Sequence, residues 1–197
     1  MDLPFAHLNL RFNPFGEATP EERARLAVVE LPDLGSADVV QLLGDCGRGK
    51  TTHLLALGAR QPGAVYERLD EGQDRCRSAV PPSGLFLLDE AQRLRPWALR
   101  RLLRREGPVA LGTHVDLSAA AGRPLPTIRL QGLDAARLRA IVERRLEWAR
   151  RGAGPVPVVP DRTLHALIER HGDDLRAIEG RLYDAVQALK EPCHVEV

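Results

Sequence analysis

The 197-residue chain carries 28 basic and 27 acidic side chains for a formal net charge of +1, with 44% hydrophobic and 28% charged residues. That length fits one domain, or one domain with a small appendage, and buries roughly 70% of its unfolded surface without staples. The near-zero charge excludes bulk electrostatic attraction to nucleic acid, and no apolar run approaches membrane-spanning length. Cys46, Cys76 and Cys193 are widely spaced and lack a C-x-x-C pair, so neither a disulfide framework nor a zinc site is indicated. With no basic-then-apolar leader at the start, a cytoplasmic protein without membrane insertion is expected.

The first segment gathers Phe5, Phe12 and Phe15 around Pro14 and Gly16, which oppose a regular element. It reads as an aromatic plug on the main core, with a partner-binding arm as the alternative. Thr19-Pro20-Glu21-Glu22 is a helix start, with a capping threonine, proline in the first turn and acids facing the helix dipole; Pro32 ends that run. Val39 to Leu43 is a buried strand. It enters Gly44-Asp45-Cys46-Gly47-Arg48-Gly49-Lys50-Thr51, which fits G-x-x-x-x-G-K-[ST]. In this phosphate-cradling loop the glycines let backbone N–H groups curl around phosphate oxygens. Lys50 reaches the β- and γ-phosphates, the Thr51 hydroxyl ligates Mg²⁺, and the helix from Thr52 points its N-terminal dipole at the anion.

Gly63 to Leu69 is a second strand, Leu85 to Leu88 an unbroken apolar third, Val109 to Thr113 a fourth and Thr127 to Leu130 a fifth. A helix from Arg95 to Arg105, with Trp97, Leu99, Leu102 and Leu103 apolar, precedes the fourth strand. Strands alternating with helices imply an α/β fold with a parallel sheet. From Asp134 the pattern is helical only: Ala135 to Arg150, a helix capped by Asp161 through Glu169, and one from Asp173 or Asp174 to Leu189. The expected organisation is residues 1–131 as the α/β core with the aromatic segment, and 132–197 as a small helical subdomain.

Asp89 and Glu90 end the apolar third strand. An acid at a strand tip near the phosphate loop supplies the second protein ligand to the nucleotide's Mg²⁺, and Asp89 fits that role. Glu90 can orient, or take a proton from, water attacking the γ-phosphate, which favours hydrolysis over transfer to a substrate hydroxyl. At the tip of the fourth strand Thr113 is the first candidate to touch the γ-phosphate or that water, and His114 the second.

In their order along the chain, Gly44 to Thr51, Leu85 to Glu90, Gly112-Thr113 and the trailing helices resemble an AAA+ ATPase, similar to the bacterial ExeA/TniB/TnsC-like branch. Phe12-Asn13-Pro14-Phe15-Gly16 resembles that branch's "NPF" start, and Asp89-Glu90-Ala91-Gln92 its DEA[HQ] motif. The resemblance implies a P-loop NTPase three-layer sandwich with five parallel strands and a helical lid, using ATP and Mg²⁺. It implies a role for Gly44, Asp45, Cys46, Gly47, Arg48, Gly49, Lys50, Thr51 and Thr52 in nucleotide binding, and for Arg176 as a γ-phosphate sensor on a lid helix. An arginine finger toward a neighbouring subunit would come from Arg123, with Arg100, Arg101, Arg104 and Arg105 competing. The implied activity is a slow or partner-stimulated ATPase switch that self-associates or serves a transposition, secretion or defence partner. The short stretch between the loop helix and Asp89 argues against a motor.

The rival readings are a nucleotide-gated module without turnover and a small-molecule kinase, which Glu90 and the helical tail oppose. No guanine-specifying N-K-x-D string is present. The arginines from Arg93 to Arg105 form a basic face that could track DNA phosphates, but it reads as solvated surface, unsupported by net charge. Trp97 and Trp148 read as core, and Cys46 as filler of a variable loop position.

Overall fold

The computed structural model describes residues 4–35 and 38–197. The chain divides into two compact units, Pro20–Gln131 and the pair of segments Met1–Thr19 with Gly132–Val197.

The first unit is an α/β sandwich. Its elements are α1 (Pro20–Arg25), β1 (Val39–Leu43), α2 (Lys50–Arg60), β2 (Val65–Arg68), β3 (Phe86–Asp89), α3 (Pro96–Leu102), β4 (Val109–Thr113), α4 (Ser118–Ala121) and β5 (Thr127–Arg129). All pairings among the described strands are parallel, in the order β2-β3-β4-β1-β5. The expected five-stranded parallel sheet is therefore present, although α4 and a short 3₁₀ turn at Ala91–Arg93 were not read from the sequence.

Alternation along the strands builds two cores. Val40, Leu42, Leu87 and Ala110 meet Leu54 and Leu57 of α2 on one face. Phe86, Leu88, Val109 and Leu111 meet Leu99 and Leu102 of α3, with Leu117, on the other. Each strand buries side chains on both sides, as its unbroken apolar sequence requires. At the amino edge Arg105 donates to the carbonyls of Pro108 at 2.9 Å, Gly84 at 2.7 Å and Gly107 at 3.3 Å, and to Pro81, tying together the turns that precede β3 and β4.

The second unit comprises α5 (Ala135–Ala149), α6 (Asp161–His171) and α7 (Leu175–Ala188), joined by the first segment of the chain. Asp134 caps α5 through Arg137 N at 2.7 Å, and Asp174 caps α7 through Ala177 N at 3.1 Å. Asp161 is the first helical residue of α6 and Pro160 its cap, so Asp161 acts on the dipole and not as the expected cap. The aromatic segment, expected on the α/β core, belongs here. Leu8, Leu10 and Phe15 are buried with Leu138, Leu164, Leu182 and Val195. Phe12 packs edge-on against Trp148 at 4.5 Å, and Arg11 N donates to Ala149 O at 2.8 Å. The physical reason is complementarity: α5, α6 and α7 alone leave an apolar face that these side chains fill.

Candidate functional site

The site lies at the carboxyl ends of the strands, the edge where open parallel sheets place their ligands. β1 runs into the phosphate loop, and Gly47 (φ 81°) and Gly49 (φ 84°) take left-handed backbone angles that side-chain-bearing residues resist. The Gly49 carbonyl accepts from His53 N at 3.0 Å and from the His53 ring at 2.9 Å, fixing the first turn of α2. Asp45 and Cys46 are exposed, Arg48 and Thr52 half-buried.

Lys50 is almost wholly buried, and its ammonium donates to Gly44 O and Asp45 O, each at 2.8 Å. Its third neighbour is His114 Nδ1 at 3.3 Å. Burial lowers the Lys50 pKa, and the Glu90 and Asp89 carboxylates oppose that shift without cancelling it. One residue further, Thr51 Oγ1 donates to Asp89 Oδ2 at 2.5 Å. Asp89 is 1% exposed, and the same oxygen accepts from Tyr66 OH at 3.2 Å while Oδ1 accepts from Glu90 N at 3.1 Å. Burial first, then the Asp89 charge, drives the Tyr66 phenol well above its ordinary pKa.

β4 lies between β1 and β3, so Asp89 must reach across it to meet α2. Gly112 makes that passage possible. A Cβ there would stand 2.7 Å from Asp89 Oδ1 and 3.0 Å from Leu54. Neither Gly112 nor Tyr66 was singled out as a site residue from the sequence. The signal for Gly112 was a glycine inside an apolar strand, which marks close approach; a lone tyrosine on a strand offers none.

Glu90 departs from the strand in the left-handed region, at φ 59° and ψ 36°, a strained conformation for a non-glycine residue. The turn that follows carries Gln92 and Arg93 back to it. Gln92 Nε2 donates to Glu90 Oε2 at 2.7 Å, Arg93 lies 3.6 Å from that oxygen, and His114 Nε2 lies 3.4 Å from Oε1. Partial burial by itself raises the Glu90 carboxyl. The Gln92 amide, the His114 ring and the Arg93 guanidinium overcome it and hold the group below the usual carboxylate range. The His114 ring thus faces Lys50 with Nδ1 and Glu90 with Nε2.

The structure thus brings Lys50, Thr51, Asp89 and Glu90 together, with His114 linking Lys50 to Glu90. Thr113 is the exception. It shares strand parity with Val109 and Leu111, on the face away from α2, and its Oγ1 donates to Val115 O at 2.8 Å. Its contribution to the loop is its carbonyl, which accepts from Gly44 N at 3.2 Å. Arg176 is exposed in the first turn of α7, in the helical unit. Arg123, Arg101 and Arg104 are exposed, and Arg100 Nε donates to Ala120 O at 2.9 Å.

The protein oxygens here suit a hard cation: a neutral hydroxyl and a carboxylate in contact, the complement that Mg²⁺ uses when phosphates and water fill its other positions. No group of three or more His, Cys, Asp or Glu side chains able to hold a metal occurs among the described residues. The glycine loop and the desolvated Lys50 ammonium match a polyphosphate in shape and charge.

No protein-family model matches this chain. No curated protein matches it either. Among 79 similar chains of solved structures is RuvB from Thermotoga maritima, 18% identical with a TM-score of 0.56, covering 80% of this chain and 58% of that one. At that identity the likeness is one of fold, and this chain spans little more than half of the RuvB chain. With the strand order and the glycine loop, it defines the class: a P-loop NTPase fold of AAA+ architecture. Among the described residues no helix is long and apolar enough to cross a membrane.

Proposed function

We propose that this chain binds ATP with Mg²⁺ and hydrolyses it slowly, acting as an AAA+ switch or assembly ATPase. The contact of Thr51 Oγ1 with Asp89 Oδ2 at 2.5 Å is the observation that carries the reading. It joins the end of the phosphate loop to the tip of β3, across β4, where Gly112 leaves room for the Asp89 carboxylate.

In this reading the loop N–H groups and Lys50 hold the β- and γ-phosphates, and Lys50 exchanges its contacts with Gly44 O and Asp45 O for phosphate oxygens. Thr51 and Asp89 hold the metal, which supplies charge neutralisation on the phosphates. Tyr66 orients Asp89. Glu90, whose carboxyl its Gln92, His114 and Arg93 neighbours hold below the usual range, is a weakened base that orients the attacking water more than it abstracts its proton. His114, which lies between Lys50 and Glu90, is placed ahead of Thr113 as the group that touches the γ-phosphate or the attacking water. Arg176 is the proposed γ-phosphate sensor of the helical unit, and Arg123 the first choice for a finger toward a neighbouring subunit. Self-association, or service to a transposition, secretion or defence partner in the cytoplasm, follows from the motif resemblance to the ExeA/TniB/TnsC-like branch.

One observation favours a second reading, a nucleotide-gated adaptor without turnover. Both Glu90 oxygens are engaged by neighbours. Phosphate release measured with ATP-Mg²⁺ over hours, alone and at high protein concentration, separates the two. Turnover abolished by Glu90→Gln with ATP still bound supports hydrolysis; tight binding with no phosphate released from the unaltered chain overturns it.

A further inference from the structure

The outer face of α3 carries a set of side chains that the nucleotide site does not use. Trp97, Arg100, Arg101 and Arg104 fall at i, i+3, i+4 and i+7, and therefore share one side of the helix and of the turn that continues it. Arg104 N still donates to Arg101 O at 3.3 Å, so the helical course extends that far. Leu99 and Leu102 turn the opposite way, into the core. Trp97, expected to be buried, is 48% exposed. The Arg75 guanidinium stands 5.2 Å over one face of its ring, and the side chain remains half-exposed.

The charge carried by the helix and its continuing turn is of one sign, with Asp74 beside Arg75 and Arg95 and Glu106 following Arg105. From Ala91 to Arg105 the sequence holds six arginines and no acid. Arg95 is paired with Asp74, and Arg105 is taken by backbone carbonyls. Arg101 and Arg104 are exposed and form no ion pair among the described residues. A net charge near zero does not oppose a local patch, because charges farther away than about 10 Å are largely screened.

We propose that this face binds single-stranded nucleic acid, with backbone phosphates on Arg101 and Arg104 and an unpaired base against Trp97. The indole decides among polyanions. An acidic polypeptide without aromatic residues would satisfy the guanidinium groups but offers no ring to the exposed tryptophan, whereas every base of a single strand does, and a duplex keeps its base faces inside the stack. DNA and RNA share the required chemistry. The proposal is independent of the ATPase reading and stands or falls without nucleotide.

The test is fluorescence anisotropy of end-labelled oligo-dT and oligo-U strands titrated with the full chain from 50 to 200 mM salt. A blunt duplex of equal length and poly-glutamate serve as competitors. Far-UV melting of each variant verifies folding. Both strands are expected to bind with a salt dependence of roughly −0.7 per phosphate contact, and the tighter one identifies the source. Replacing Arg101 and Arg104 together by glutamate is expected to weaken binding at least tenfold and to flatten the slope by about 1.4. Trp97→Ala should weaken binding about fivefold or more and leave the slope unchanged, while Trp97→Phe keeps most of the affinity. Equal competition by the duplex or by poly-glutamate would overturn the proposal, as would an indifferent Trp97→Ala or no binding at 50 mM salt.

Discussion

The two units use buried polar groups differently. In the helical unit Asn13, Arg145 and Thr163 are buried, and each fastens backbone from distant parts of the chain. Asn13 donates to Tyr183 O at 3.0 Å, and Thr163 to Val195 O at 3.1 Å. Arg145 donates to Pro14 O at 3.0 Å and pairs with Glu179 at 2.6 Å. The α/β unit has groups of the same kind: Glu67 accepts from Arg77 N and Ser78 N, and Gln41 joins β1 to Thr127 and Leu117. Its Lys50 and Asp89, however, converge on the mouth of the phosphate loop. Buried polarity that closes on backbone is architecture, and buried polarity that converges on one place is available for chemistry.

Substitution can break that distinction. Lys50→Ala should carry the largest effect, loss of nucleotide binding by at least about a hundredfold in calorimetric titration, with little change in melting midpoint. Glu90→Gln should retain ATP and lose turnover by about a hundredfold or more in a phosphate-release assay. A large fall in melting midpoint in either variant would erase the contrast. Arg145→Ala is the converse: loss of about 3 kcal/mol by denaturant unfolding from breaking a buried pair, with nucleotide affinity nearly unchanged at low temperature.

Gly112→Ala sharpens the comparison, because it places architecture and chemistry on one atom. Crowding Asp89 and Leu54 should cost about 1–3 kcal/mol and weaken Mg²⁺-nucleotide more than nucleotide alone. Asp116→Asn should have the smallest effect. Hydrogen bonds from Ser118 and Gln41 pull the Asp116 carboxyl down to about 2. Its stabilisation is complete above its ordinary value near 4 and is lost as pH falls from there toward about 2. The variant should therefore melt with a shallower acid dependence in that window and the same midpoint trend above it.

Much of the α/β unit was legible because its signals are local. The phosphate loop, the apolar β3 and its terminal acids declare themselves within a few residues. Thr113 and His114 were harder to separate, since both end a strand and only parity with Val109 and Leu111 sends the threonine hydroxyl to the other face. Gly112 acquired meaning from the sheet order, which sets β4 beneath Asp89, and sheet order is not written at any one position. Trp97 looked like core because it is an apolar residue in a helical run, yet it stands two, five and six positions from Leu99, Leu102 and Leu103, spacings that put it on the opposite side of the helix. The destination of Phe5, Phe12 and Phe15 depended on an apolar face completed by residues more than a hundred positions away.

That destination has a kinetic consequence. Leu8 and Leu10 share a core with Val195, and everything in Pro20–Gln131 is made between them. At about 5–20 residues per second on the ribosome, the opening segment waits on the order of ten seconds or more for its partners. During that interval its phenylalanines have no native core to enter, and the whole α/β unit is made before their partners are. Residues made before the α/β unit thus wait for partners made after it, and a chaperone would meet them before the rest of their own unit does.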